Sequence, residues 1–159
     1  MQQFCFTASD EQDTRRLGQA LACHLPQTAT VALEGTLGAG KTRLVQAIAA
    51  GCGVDPQTVT SPTFVLCQPY RADRRLYHLD AYRIRDLDEF LELGVDEYFE
   101  GPGLTLIEWA DRVEACLPDD LLEVHIEIIG ETTRRFDLVA RGPALQAALS
   151  EIADDLNRG

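Results

Sequence analysis

The stretch GTLGAGKT at residues 35–42 constrains this chain more than any other. Gly35, Gly40, Lys41 and Thr42 fill the pattern G-x-x-x-x-G-K-[ST], and Gly38 adds a glycine inside the loop. Glycine takes backbone conformations closed to other residues and lets main-chain N–H groups approach an anion closely. In such a loop the lysine reaches the β- and γ-phosphates of a nucleotide, and the hydroxyl after it ligates Mg²⁺. The flanks agree with this reading. TVALEG before the loop is an apolar, β-branched run of strand type, and TRLVQAIAAGCG after it is helical and ends in glycine. Strand, loop and helix together put the phosphates on a helix N-terminus, where unpaired N–H groups and the helix dipole favour negative charge. This unit predicts an α/β, P-loop NTPase-like fold.

Composition bears on the same loop. Of fourteen lysines and arginines, Lys41 is the single lysine. The chain uses arginine everywhere else, so lysine at 41 marks a position that needs a compact ammonium on a flexible stem. At 159 residues the chain is long enough for a real core, and residues 1–159 are read as a single domain. No apolar run reaches the roughly 18 residues of a membrane-spanning helix, and the N-terminal MQQFCFTASDEQD lacks the features of a signal peptide. Cys5, Cys23, Cys52, Cys67 and Cys116 are scattered, odd in number and without C-x-x-C spacing. They read as small buried apolar residues of a protein in a reducing cytoplasm, away from membranes. A net charge of −12 argues against tight autonomous binding of RNA or DNA, although YRADRR forms a local basic patch. The acidity suits a protein partner with a basic face.

Periodicity supplies the remaining elements. QFCFT opens as a strand, with Ser9 as a helix N-cap and Gln12 completing a capping box. The helix over 10–25 sets Leu17, Leu21 and Leu25 on one face and stops before Pro26. Residues 60–70 and 74–83 are predicted to pair as strands about a charged turn at 71–75. Residues 85–99 read as a short acidic helical region, and 104–117 as a strand running into a helix. Residues 120–141 alternate as a hairpin with Leu122, Val124, Ile126 and Ile128 on one face, and 142–156 close as an amphipathic helix. Two hairpins make the expected sheet a mixture of parallel and antiparallel strands, flanked by helices.

A phosphate loop needs a carboxylate to order Mg²⁺ and water. LTLIEW offers Glu108 at the C-terminal end of a strand, the edge where open α/β sheets bind ligands. Asp80 in YHLDAYR is the second candidate, and by itself it also reads as a turn or cap aspartate. Thr42, a carboxylate, phosphates and water form the oxygen set that Mg²⁺ prefers. SPTF, residues 61–64, places the Thr63 hydroxyl where a switch segment senses a γ-phosphate. The same spacing fits an ordinary loop proline before a strand. His24, His78 and His125 read as structural histidines. Asn157 is the only asparagine and Lys41, which follows a glycine, the only lysine, so no [NT]-K-x-D element for guanine exists, which favours ATP over GTP.

GTLGAGKT, SPTF, HLDAYR and IEWAD, in this order and spacing and with the LGQALA helix before them, resemble the TsaE family (formerly YjeE). These are small bacterial ATPases required for the threonylcarbamoyl modification of adenosine 37 in tRNAs that read ANN codons. The resemblance spans nearly the whole chain. It implies that Leu37, Gly38, Ala39, Gly40, Lys41 and Thr42 bind the phosphates of ATP or ADP. Thr42 and Glu108 are then expected to hold Mg²⁺ directly or through water, with Asp80 acting in hydrolysis. Thr63 falls in a switch-like loop and Trp109 beside the nucleotide. The resemblance also implies two protein partners, TsaD and TsaB, which carry the tRNA-modifying centre, so that tRNA is reached only through the complex. ATP hydrolysis is expected to reset that complex, with low activity in the isolated chain. The loop reads Gly-Thr-Leu where many members read Gly-Asp-Leu, so Thr36 lacks a carboxylate's role. The adenine side is assigned to the segment near Ser9 and to Arg134, whose guanidinium can stack on a base. A helix cap and a surface arginine are the plain reading of those two residues.

Two other functions fit the loop. In a small-molecule kinase, Arg71, Arg74, Arg75 and Arg83 would bind the acceptor. In a non-catalytic ATP-sensing module, nucleotide state alone would control assembly.

Overall fold

The computed structural model describes residues 2–36, 38–59, 67–71, 74–82 and 84–159, with backbone only over 67–71. Leu37, Thr63 with its SPTF segment, Arg83, and the side chains of Cys67 and Arg71 lie outside the described residues. Seven strands form one sheet: β1 (Gln2–Ala8), β2 (Thr28–Gly35), β3 (Cys67–Arg71), β4 (Arg75–Asp80), β5 (Gly103–Glu108), β6 (Leu121–Ile128) and β7 (Arg134–Arg141). Their order across the sheet is β1-β7-β6-β2-β5-β4-β3. The four central strands β4, β5, β2 and β6 are parallel. The margins are antiparallel, through β6–β7, β7–β1 and β4–β3. This is the expected mixed α/β sheet.

Side chains alternate between the two faces of a strand. Val31, Leu33, Leu104 and Leu106 pack against α1 (Glu11–His24), α2 (Lys41–Gly51) and α5 (Pro143–Arg158). Ala32, Leu79 and Ile107 face the other way, onto α3 (Leu87–Leu91), α4 (Val95–Glu100) and the turns that follow β5. Every residue of β5 is buried, as suits a central strand covered on both faces. α1 and α2 meet where a Cβ on Gly18 would lie 2.3 Å from the Ala47 Cβ and 2.6 Å from its carbonyl carbon. Only glycine lets the two helices come that close, and the contact fixes where the head of α2 sits. Among the described residues no helix is long and apolar enough to cross a membrane.

Four local expectations are corrected. The N-cap of α1 is Asp10, not Ser9: its carboxylate accepts the Asp13 N–H, and Asp13 in turn accepts the Ser9 N–H. The strand–turn boundary falls one residue later than the composition suggests, and aspartate caps as well as serine. Residues 110–116 form 3-10 turns rather than an α-helix, since Trp109 enters them left-handed and Val113 breaks them at φ −126°. Ile128 is 45% exposed, because pairing with β2 ends at Ile126 and the last residues of β6 run beyond the packed layers. Cys5 and Cys23 are exposed, whereas Cys52 is buried as expected.

Candidate functional site

The glycine-rich loop at residues 35–42 is built locally. β2 delivers the chain to Gly35, and the Ala39 N–H donates to the Thr36 carbonyl at 3.0 Å to close the turn. Gly38 (φ 79°) and Gly40 (φ 112°) then take the left-handed backbone that other residues disfavour. Gly40 is the N-cap of α2 and offers no side-chain cap. The first N–H groups of α2 therefore have no intrahelical acceptor and are available to an anion.

Lys41 opens α2 and is only 5% exposed. Its Nζ donates to the carbonyls of Gly35 (2.7 Å) and Thr36 (2.9 Å) and sits 3.9 Å from the centroid of the Trp109 ring. Burial holds this ammonium below the usual lysine range, against the opposing pull of Glu108, Asp80 and Asp111. Thr42 Oγ1 donates to the Glu108 carboxylate, 2.9 Å from Oε1 and 3.0 Å from Oε2. Glu108 ends β5 and is 3% exposed. Its second partner is His78, fully buried on β4, whose Nε2 lies 2.5 Å from Oε2. A carboxylate only accepts, so Nε2 carries the hydrogen. Asp80 sits beside Glu108 in the β4–β5 register, and its Oδ1 accepts the Tyr82 N–H at 2.8 Å. The lysine, the hydroxyl and both carboxylates thus gather at one sheet edge, at the head of α2.

Trp109 follows Glu108 with φ 59° and ψ 39°. It is the only non-glycine with positive φ among the described residues, a conformation that costs about 1–2 kcal/mol. Strict alternation would send its side chain away from Glu108; the left-handed turn instead lets the half-buried indole meet Lys41. Tyr82 packs on it at 4.9 Å between centroids, and the Arg112 guanidinium lies 5.8 Å away.

The donor set suits magnesium. The Thr42 hydroxyl and the Glu108 carboxylate are adjacent hard oxygen donors, the ligand type that this ion takes. A cavity of about 640 Å³ opens on the other side of the loop, lined by Gly38, Ala39, Gly40, Asp10, Gln12 and Arg134 among others. Arg134 donates from Nε to the Ala39 carbonyl at 3.2 Å and from Nη1 to Gly130 and Thr133 at 3.1 Å. Two of its three nitrogens are thereby engaged. Ser9 is exposed, and its carbonyl accepts the Thr132 hydroxyl at 2.9 Å, so Asp10 rather than Ser9 lines the cavity.

A family profile described as "Threonylcarbamoyl adenosine biosynthesis protein TsaE" matches residues 8–136. The chain belongs to the TsaE family. The Bacillus subtilis tRNA threonylcarbamoyladenosine biosynthesis protein TsaE is 34% identical over 96% of this chain and 96% of its own. The protein of the same name from Aquifex aeolicus is 39% identical over 79% of this chain and 87% of its own, and that of Treponema pallidum 37% over 77% and 90%. The crystal structure of Bacillus subtilis YdiB is similar throughout, with TM-score 0.82 and 30% identity over 96% of this chain and 95% of that one.

Within this TsaE-family chain, two side chains have partners that their sequence reading did not supply. His78, read as an ordinary structural histidine, touches the Glu108 carboxylate. The signal was the HLD triplet, whose alternation sets His78 and Asp80 on the same face of β4. Arg74, weighed as an acceptor-binding arginine, closes the end of α1 instead. Its Nη1 donates to the carbonyls of Ala22 (3.1 Å) and Leu25 (3.0 Å), and its Nη2 to that of Pro26.

Proposed function

We propose that this chain is the Mg²⁺-dependent, ATP-binding and ATP-hydrolysing component of the machinery for tRNA threonylcarbamoyladenosine 37. It acts in the cytoplasm through TsaD and TsaB, and on tRNA only through that complex. Membership of the TsaE family supports the pathway. The observation that carries the chemistry is the Thr42 hydroxyl on the Glu108 carboxylate at the head of α2, next to Lys41.

In this reading the loop N–H groups from Gly38 to Thr42 hold the phosphates of ATP. Lys41 leaves the Gly35 and Thr36 carbonyls for the β- and γ-phosphate oxygens, where its charge opposes the negative charge that develops on transfer. Thr42 and Glu108 would hold the metal ion. Bound there, Mg²⁺ neutralises phosphate charge and fixes the phosphates for in-line attack. Asp80, one strand over, orients the attacking water. Trp109 closes the mouth of the site against solvent, and the face of Arg134 receives the adenine. The free chain keeps Lys41 on loop carbonyls and an indole, which supports low activity until a partner or substrate releases it.

The kinase alternative loses Arg74, which is committed to the end of α1. ATP turnover measured with and without purified TsaD–TsaB tests the proposal. Strong stimulation by the pair is expected. Trace turnover unchanged by the partners would make the chain a nucleotide sensor, and a phosphorylated metabolite would make it a kinase.

A further inference from the structure

We propose that His78 is a positioning residue for Glu108: its imidazole fixes the carboxylate that faces Thr42 and thereby sets the affinity of the site for Mg²⁺. The inference rests on the magnesium-dependent reading above and names a residue that this reading does not use.

The geometry begins with the sheet. β4 and β5 are parallel neighbours in which His78 stands opposite Leu106 and Asp80 opposite Glu108. His78 and Asp80 share the face that packs on α2, so the imidazole sits one step behind Glu108 and meets its carboxylate from the core side. Nε2 lies 2.5 Å from Oε2. The only other hydrogen-bonding side chain on that carboxylate, among the described residues, is Thr42.

The two partners differ in what happens on metal binding. The Thr42 hydroxyl would turn its oxygen to the ion and give up its hydrogen bond to Glu108. His78 cannot follow the ion: it is fully buried, behind the carboxylate. It therefore keeps hold of Oε2 and leaves Oε1 directed at the head of α2. A carboxylate with one oxygen anchored loses less rotational freedom on ligating a metal, which is why groups hydrogen-bonded to metal ligands tune affinity.

The other nitrogen argues against simple space filling. His78 Nδ1 is buried and has no hydrogen-bond partner among the described residues. A leucine or phenylalanine would fill the volume without burying that unpaired atom, which carries a desolvation cost. Histidine at this position is explained by the single bond that Nε2 makes.

The difference between the two ring nitrogens supplies the test. The amide nitrogen of glutamine reaches the place of Nε2, whereas that of asparagine reaches only the place of Nδ1, where the described residues offer no partner. Calorimetric titration of ADP at graded Mg²⁺ concentrations should show His78→Asn and His78→Phe needing about 10–100-fold more Mg²⁺ than the wild type. His78→Gln should recover most of that loss, and ADP affinity without Mg²⁺ should be the same in all four proteins. A second readout needs neither metal nor nucleotide. In ¹H–¹⁵N spectra of the free chain, the His78 ring hydrogen should sit on Nε2 in slow exchange and lose its protection in Glu108→Ala. That signature supports the inference even where the Asn and Phe variants do not fold, and a hydrogen on Nδ1 instead overturns it. A Mg²⁺-dependent wild type whose Asn and Phe variants keep its Mg²⁺ requirement, or whose Gln variant is no better than Asn, also overturns it. A wild type whose nucleotide affinity ignores Mg²⁺ overturns the functional reading itself, and this inference with it.

Discussion

Lys41 is held by two carbonyls and an indole face, which a phosphate bound as proposed would displace. Burial lowers its pKa on folding, so between that value and the ordinary lysine range the unfolded chain binds the proton better. Stability therefore rises with pH across that window, and at neutral pH the buried ammonium subtracts from it. Lys41→Met is expected to melt at or above the wild-type temperature at pH 7, with the difference shrinking as pH climbs towards the lysine range. Its ATP affinity or turnover should fall by on the order of 100-fold or more. Thermal melts over a pH series and nucleotide titrations check both parts, and a variant that melts lower at pH 7 contradicts the first. The same contact makes Trp109, the single tryptophan, a reporter. ATP or ADP with Mg²⁺ should draw Lys41 off the ring and change the intrinsic fluorescence. In Lys41→Met the change should be lost, and an equal response in both proteins would separate the indole from the lysine.

The helix α2 carries Lys41 and Thr42 into the site, and its position depends on the glycine face of α1. Adding a methyl at Gly18 would bring it within 2.8 Å of the Ile48 nitrogen as well as onto Ala47, so backbone must move. Gly18→Ala gains about 1 kcal/mol of helix propensity. Overpacking of a close contact costs about 1–3 kcal/mol, and against backbone we expect that cost to win. A lower urea midpoint should come with weaker ATP binding, because α2 cannot shift without moving its first turn. If the midpoint rises instead, the two helices have room that their separation does not indicate.

For the molecule as a whole, net charge and sheet architecture divide the work. The sheet gathers the site at one edge, while a charge of −12 governs what approaches the surface. Association with TsaD–TsaB is expected to weaken as NaCl rises through the physiological range, since exposed charges are screened over roughly 8 Å at that ionic strength. The isolated chain should not retain tRNA in filter binding at physiological salt, because a net charge of −12 opposes the phosphate neutralisation that such binding requires. Tight tRNA retention with a steep salt dependence would place tRNA contact on this subunit.

The sequence by itself determined whatever is set over a few residues. Glycine spacing and the lysine marked the loop at residues 35–42, and apolar periodicity marked the strand before it, the helix faces and the two hairpins. Both carboxylates, Asp80 and Glu108, were legible because each ends a strand of the right type. Only the tertiary structure decided who meets whom. The His78–Glu108 contact joins residues 30 apart through the β4–β5 register, and alternation within a strand marks the face of a side chain but not its neighbour. The Lys41–Trp109 contact needed a left-handed turn in a residue that gives no local sign of it. The place of Arg74 and the exposure of Ile128 were hidden for the same reason. One is recruited by a helix end about fifty residues earlier in the chain, and the other lies past the point where its neighbouring strand stops. Local conformational energies are written residue by residue, whereas partners across a sheet or between helices are chosen by packing that the whole chain settles at once.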